Sequence, residues 1–152
     1  MKLFILDILD GTVVDGPGFR IAIYAAGCPH QCPQCHNPQS WEIHNGEEME
    51  IEEVFERIRN SPWNVTFSGG DPFFQAPGFT LLAQMIQEKT DKTIWAYTGY
   101  TYPELLSGDV PHARELLERL DVLVDGPFIQ ELRDTSLPFR GSSNQKIIHL
   151  KG

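Results

Sequence analysis

All three cysteines of the chain, Cys28, Cys32 and Cys35, fall within one short stretch, and no other cysteine exists to pair with them across the fold. A disulfide framework would scatter its cysteines, whereas a metal site clusters them. The fold must therefore be held by a hydrophobic core and not by covalent staples. A chain of 152 residues, 41% hydrophobic and carrying three Trp, nine Phe and four Tyr, can bury one such core and is too short for a second independent one. The expectation is one folded domain over residues 1-152.

Charge narrows the partners. With 21 acidic against 12 basic residues the formal net charge is -9, which disfavours phosphate backbones and anionic membrane surfaces. A nucleic-acid polymer is not an expected partner. Met1 to Asp10 alternates apolar residues with Asp7 and Asp10 and has only Lys2 as a basic flank, so it does not read as a signal sequence. No apolar run reaches membrane-spanning length, and the expected location is cytoplasmic, away from the membrane.

Strand-like runs alternate with amphipathic helical ones, with no internal repeat or low-complexity tract. Arg20 to Ala26 is a short apolar run rich in strand formers, ending at Gly27 just before the first cysteine. Leu3 to Leu9 reads as a further strand, at a sheet edge. Ile51, Val54, Phe55 and Ile58 have the spacing of one helix face, which Asn60-Ser61-Pro62 stops. Trp63 to Phe67 follows as a strand that breaks into Ser68-Gly69-Gly70-Asp71-Pro72. Phe79, Leu82, Ala83 and Ile86 form a second helical stripe before the strand Thr93 to Tyr97. Ala113, Leu116, Leu117 and Leu120 form a third, before Asp121 to Val124 and the turn Asp125-Gly126-Pro127. Repeated β-α alternation predicts an α/β fold with a mainly parallel sheet, in which ligands sit at the carboxyl ends of the strands. The cysteine segment, the glycine turn, Thr98-Gly99 and Asp125-Gly126 should converge on one rim.

Three thiols separated by three and two residues suit one loop wrapped around one metal centre. In a cubane cluster they leave one of four irons open to a small chelating molecule. The alternative on residues alone is structural zinc, with His30 or His36 as fourth ligand and His44, His112 and His149 also available. Zinc tetrahedra usually take a second ligand pair well downstream, and no later cysteine supplies one. The Asp71 carboxylate, beside exposed backbone at a strand end, could hold a ligand's ammonium group. Asp15-Gly16-Pro17-Gly18 has the chemistry of a turn. Arg20, Arg140, Lys146 and the histidines are expected to be solvated side chains with no catalytic role.

The three-cysteine loop followed by a Gly-Gly-acid-Pro turn resembles the radical S-adenosylmethionine (SAM) superfamily. Asp15-Gly16-Pro17-Gly18-Phe19-Arg20 is similar to the activases that install glycyl radicals in partner enzymes. Thr98 to Thr101, Val122 to Phe128 and Phe139 to Gln145 resemble the activating components of anaerobic ribonucleoside-triphosphate reductases. The resemblance runs nearly end to end. It implies a 4Fe-4S cluster on Cys28, Cys32 and Cys35, these being the catalytic and metal-binding residues, with SAM chelating the fourth iron. Ser68, Gly69, Gly70 and Asp71 would meet the methionine end of SAM and the backbone of Gln34, Cys35 and His36 its adenine. Thr98, Gly99 and the Val124-Asp125 strand end would close the pocket. Reductive cleavage would then yield methionine and a 5'-deoxyadenosyl radical that takes hydrogen from a glycine of the large reductase subunit, with a flavodoxin-type protein as electron donor. Two positions depart from the commoner pattern: Gln34 stands where many members have an aromatic residue, and Asp71 where many have glutamate.

A complete eight-fold barrel needs about 250 residues, so this length implies a shortened, open (β/α) partial barrel of the radical SAM type. An open side suits a macromolecular substrate. The competing readings are an activase of another glycyl radical enzyme, of the pyruvate formate-lyase type, a small-molecule radical SAM enzyme, and a non-catalytic zinc-stabilised adaptor. Length and the segment from Arg140 to Gln145 disfavour the first.

Overall fold

The computed structural model describes residues 1–12, 18–27, 46–126 and 144–150. In chain order these form β1 (Lys2–Thr12), β2 (Arg20–Ala25), β3 (Glu47–Glu50), α1 (Ile51–Arg59), β4 (Asn64–Gly69), a short 3₁₀ helix (Pro72–Gln75), α2 (Ala76–Lys89), β5 (Ile94–Tyr97), α3 (Tyr102–Ser107), α4 (Ala113–Leu117), β6 (Val122–Asp125) and β7 (Lys146–His149).

The strands form one seven-stranded sheet in the order β3-β1-β2-β4-β5-β6-β7. The four central strands β2, β4, β5 and β6 are parallel, with Ile23 opposite Phe67, Phe67 opposite Ala96, and Ala96 opposite Leu123. β1, β3 and β7 run antiparallel to their neighbours. The expectation of a mainly parallel sheet is therefore corrected to a mixed sheet with a parallel centre. The connection from β1 to β2, residues 13–19, is too short for the crossover a parallel pair needs, which takes a dozen residues or more. The strand read at Leu3 to Leu9 is also not an edge, because β3 lies outside it. β3 is Glu47-Glu48-Met49-Glu50, and Glu48 pairs with Lys2 at 2.8 Å. A charged edge strand of this kind discourages pairing with other chains.

The helices follow their apolar stripes. In α1 the buried residues are the expected Ile51, Val54, Phe55 and Ile58; Glu52 and Glu53 sit in the first turn, Arg57 and Arg59 in the last, and Asn60 ends it, a polarity that suits the helix dipole. α2 buries Phe79, Leu82, Ala83 and Ile86. α3 starts at a capping box in which Thr101 and Glu104 satisfy each other's backbone, and stops at Gly108, φ 93°. The third stripe is buried as expected, although α4 covers only Ala113–Leu117 of it.

Alternate residues along the strands separate the two faces of the sheet. Ile21, Ile23, Val65, Phe67, Ile94, Ala96 and Leu123 pack with the stripes of all four helices in one core. Trp95, Val122 and Val124 form a smaller cluster on the opposite face, joined by Tyr97 and Ile147. Among the described residues no helix is long and apolar enough to cross a membrane.

Candidate functional site

Because β2, β4, β5 and β6 are parallel, their carboxyl ends share one rim, and backbone hydrogen bonds join those ends in series. Gly70 N–H donates to Ala25 C=O (2.7 Å) and Asp71 N–H to Gly27 C=O (2.8 Å), which ties the glycine turn after β4 to the root of the cysteine segment after β2. Thr98 N–H donates to Val124 C=O (3.0 Å) and Gly126 N–H to Tyr100 C=O (2.8 Å), joining the ends of β5 and β6.

Glycine is required at Gly69 for a reason of packing. Its φ is +97°, and a Cβ there would lie 2.5 Å from Ala25 N and 2.7 Å from Ala25 O. Only a residue without a side chain lets β4 turn this close to β2. The residues flanking the cysteine segment are also held. A Cβ at Gly46 would come within 2.6 Å of Ala26 Cβ, so the segment leaves at Gly27 and is picked up again beside its own start. The Gln75 amide clamps this point: Nε2 donates to Phe4 C=O (2.9 Å) and Ala26 C=O (2.8 Å), and Oε1 accepts from Phe4 N–H (2.9 Å).

Two buried carboxylates complete the rim. Asp71, with no exposed surface, accepts from Phe73 N–H (3.0 Å), from Gly99 N–H (3.0 Å) and from the Thr98 hydroxyl (3.0 and 2.8 Å to its two oxygens). Asp125, 4% exposed, accepts from Tyr102 N–H (2.7 Å) and Lys146 N–H (3.1 Å). Backbone donors of this kind can satisfy a carboxylate out of water.

The rim thus unites the sequence-selected Ser68, Gly69, Gly70, Asp71, Thr98 and Gly99 in one structure. Cys28, Cys32, Cys35, Gln34 and His36 lie outside the described residues, as do Asp15 to Pro17, His30, His44 and Arg140. Lys146, His112 and His149 are exposed as expected, and His112 Nδ1 lies 2.9 Å from the Glu115 carboxylate. Arg20 is a correction. It is 2% exposed, its Nε donates to the Thr66 hydroxyl (2.7 Å) and its Nη2 to Val65 C=O (2.7 Å), and it lies over the Trp95 ring. Burial pulls its guanidinium below the ordinary arginine value, with Tyr97 and Asp121 opposing. As the first residue of β2, its side chain points to the face opposite the helices, where the aliphatic stem is covered and the head is satisfied by β4. Sequence reasoning missed Gln75 and the bridging role of the Thr98 hydroxyl and the Asp125 carboxylate; the available signal was a polar residue at a strand end for Thr98 and Asp125, and none marked Gln75 in the 3₁₀ helix.

Among the described residues no group of three or more His, Cys, Asp or Glu could hold a metal ion. The donors with cluster chemistry are the three thiols, on a segment whose flanks are pinned at Gly27 and Gly46. Three thiols on one segment, which leaves the described rim at Gly27, fit in number and chemistry a cluster with one open iron.

Comparison with known proteins agrees. Residues 14–148 match the family model of the 4Fe-4S single cluster domain, which decides between cluster and zinc. The anaerobic ribonucleoside-triphosphate reductase-activating protein of Escherichia coli is 36% identical over 148 residues, covering 91% of this chain and 94% of that protein. The proteins of the same name from Vibrio cholerae and Haemophilus influenzae are 40% and 39% identical, each covering 90% of this chain and 91% of the relative. With a cluster-domain match over most of its length and relatives of this similarity aligned nearly end to end, the chain belongs to the anaerobic ribonucleoside-triphosphate reductase-activating proteins of the 4Fe-4S single cluster domain family.

Proposed function

We propose that this chain is a radical SAM activating enzyme that cleaves SAM reductively at a 4Fe-4S cluster and installs a glycyl radical on the large subunit of anaerobic ribonucleoside-triphosphate reductase. The observation that carries this reading is the junction at Gly27, where the chain enters the cysteine segment with the glycine turn hydrogen-bonded to it at Ala25 and Gly27.

In this reading Cys28, Cys32 and Cys35 hold three irons. A cluster held there would supply the single electron for reductive cleavage of the sulfonium bond, and three thiolate ligands would leave one iron for the substrate. Ser68, Gly69, Gly70 and Asp71 form the wall at the methionine end. The backbone of Gln34, Cys35 and His36 would meet the adenine, and Thr98, Gly99 and the end of β6 would close the far side. The protein's part is to orient SAM and shield the radical from water.

Residues 1-152 act as one radical SAM domain, a shortened partial barrel. Its open side receives the glycine-bearing loop of the reductase, so a short free glycine peptide is a poor substitute for the folded subunit. A flavodoxin-type protein delivers the electron, in the cytoplasm, with no role for a nucleic-acid polymer or a membrane.

The test is anaerobic reconstitution with iron and sulfide, then reduction with dithionite in the presence of SAM. About four irons per chain and 5'-deoxyadenosine formation that Cys32→Ala abolishes are expected. Tightly bound zinc and no SAM cleavage would overturn the proposal.

A further inference from the structure

The helical layer carries a groove that SAM chemistry does not use. It has a volume of about 280 Å³ and lies between the start of α1 and α2, where Met1, Ile51, Leu81 and Met85 give it an apolar lining. Leu81 is 41% exposed, whereas Phe79, Leu82 and Ile86 of the same helix are buried in the core. A cavity of about 150 Å³ already takes a benzene ring, so this one has room for a large apolar side chain.

Two exposed carboxylates, Glu52 and Glu88, complete the lining. The nearby cations are engaged elsewhere: Lys2 with Glu48 and Glu50, the Met1 amino group with Glu50, Arg59 with Glu56, and Lys89 over the Phe55 ring. Among the described residues neither Glu52 nor Glu88 has a cationic partner; Glu88 accepts a hydrogen bond from the Gln84 amide (3.1 Å). An apolar floor beside two uncompensated carboxylates is complementary to an apolar side chain flanked by lysine or arginine. A second copy of this chain fits poorly, since its net charge is -9 and no two of its 12 basic residues are adjacent in sequence.

The groove also lies at the working end of the sheet. β1 runs antiparallel to β2 with Ile5 opposite Ala25, which puts Met1 at the carboxyl ends of the parallel strands. Ile51 N–H donates to Met1 C=O (3.1 Å), and a Cβ at Gly78 would come within 2.5 Å of the Leu3 side chain, so the start of α1 and the first half of α2 are held at that end too. A macromolecule seated over the rim reaches the groove. We propose that the groove docks a segment of the large reductase subunit in which one large apolar residue is flanked by lysine or arginine. This adds a contact to the activase reading and rests on it.

The experiment measures the Kd of the full-length, cluster-reconstituted protein for the purified large reductase subunit, at low and at raised salt. Glu52→Lys and Glu88→Lys should each raise Kd about fivefold at low salt, the scale of one exposed ion pair, and less at raised salt. Leu81→Ser should raise Kd about tenfold at either salt, because apolar burial is not screened. Asp91→Lys makes the same change of charge in the exposed loop before β5, at the opposite end of the sheet, and should stay within about twofold of wild type. Wild-type affinity in all three groove variants would overturn the proposal. A loss in Asp91→Lys equal to that in Glu88→Lys would trace the effect to overall charge and overturn it too. So would sedimentation showing a dimer of this chain that Leu81→Ser dissociates, which would give the groove to a second copy. A wild-type protein that cleaves no SAM would sink the activase reading instead, and the Kd series would still decide the docking site.

Discussion

At the carboxyl ends of the central strands, backbone amides donate to two carboxylates buried from water, Asp71 and Asp125. At the amino ends of the same strands Arg20 and Ser61 are buried, but the other finishing groups lie nearer the solvent. Lys92 Nζ donates to the carbonyls of Ser61 (2.6 Å) and Trp63 (2.7 Å), the Asn64 side chain accepts from Thr93 N–H (2.9 Å), and the rings of Phe19 and Trp63 stack with centroids 5.1 Å apart. A bond near the surface can be replaced by water when broken, but a buried one leaves an unsatisfied partner behind. The difference teaches that one end of the sheet is fixed by geometry that water cannot repair, and this is the end where the cysteine segment begins.

The largest effect should come from Gly69→Ala, which strains a positive φ and drives a methyl group into the backbone of β2. A loss of about 3 kcal/mol or more is expected in urea unfolding. Asp125→Ala leaves the amides of Tyr102 and Lys146 without their acceptor and should cost about 2 to 4 kcal/mol. Lys92→Met removes both carbonyl contacts at the opposite end, with an expected loss of about 1 kcal/mol and unchanged SAM cleavage. Glu56→Ala breaks only an exposed pair with Arg59 and should change stability by less than about 0.5 kcal/mol. Should Lys92→Met cost as much as Asp125→Ala under the same conditions, the contrast between the two ends would fail.

What could be read from the sequence followed from how locally each feature is determined. α1 and α2 were legible because their stripes repeat at helical spacing within the element itself, and β2 and β5 because they are short apolar runs ended by turn residues. β3 was not, since Glu47, Glu48 and Glu50 make an edge strand only by pairing with β1. β7 and α3 are too short to show a period, although Thr101 and Glu104 carry a capping-box pattern that could have marked α3. At the site, the convergence of strand ends was predictable from β-α alternation. The bonds that make it rigid were not, because Asp71 finds its donor 27 residues on, at Thr98, and Gln75 clamps Phe4 from 71 residues away. Arg20 shows the same limit: a base rate for arginine gives no hint of the Thr66 hydroxyl that receives it.

The most direct test of the function is electron paramagnetic resonance of the large reductase subunit after anaerobic incubation with this protein, SAM and a reductant. The account predicts a glycyl radical signal on the reductase, growing with 5'-deoxyadenosine and absent with Cys32→Ala. SAM cleavage without any radical on the reductase, or a radical formed equally well by the Cys32→Ala protein, would contradict it.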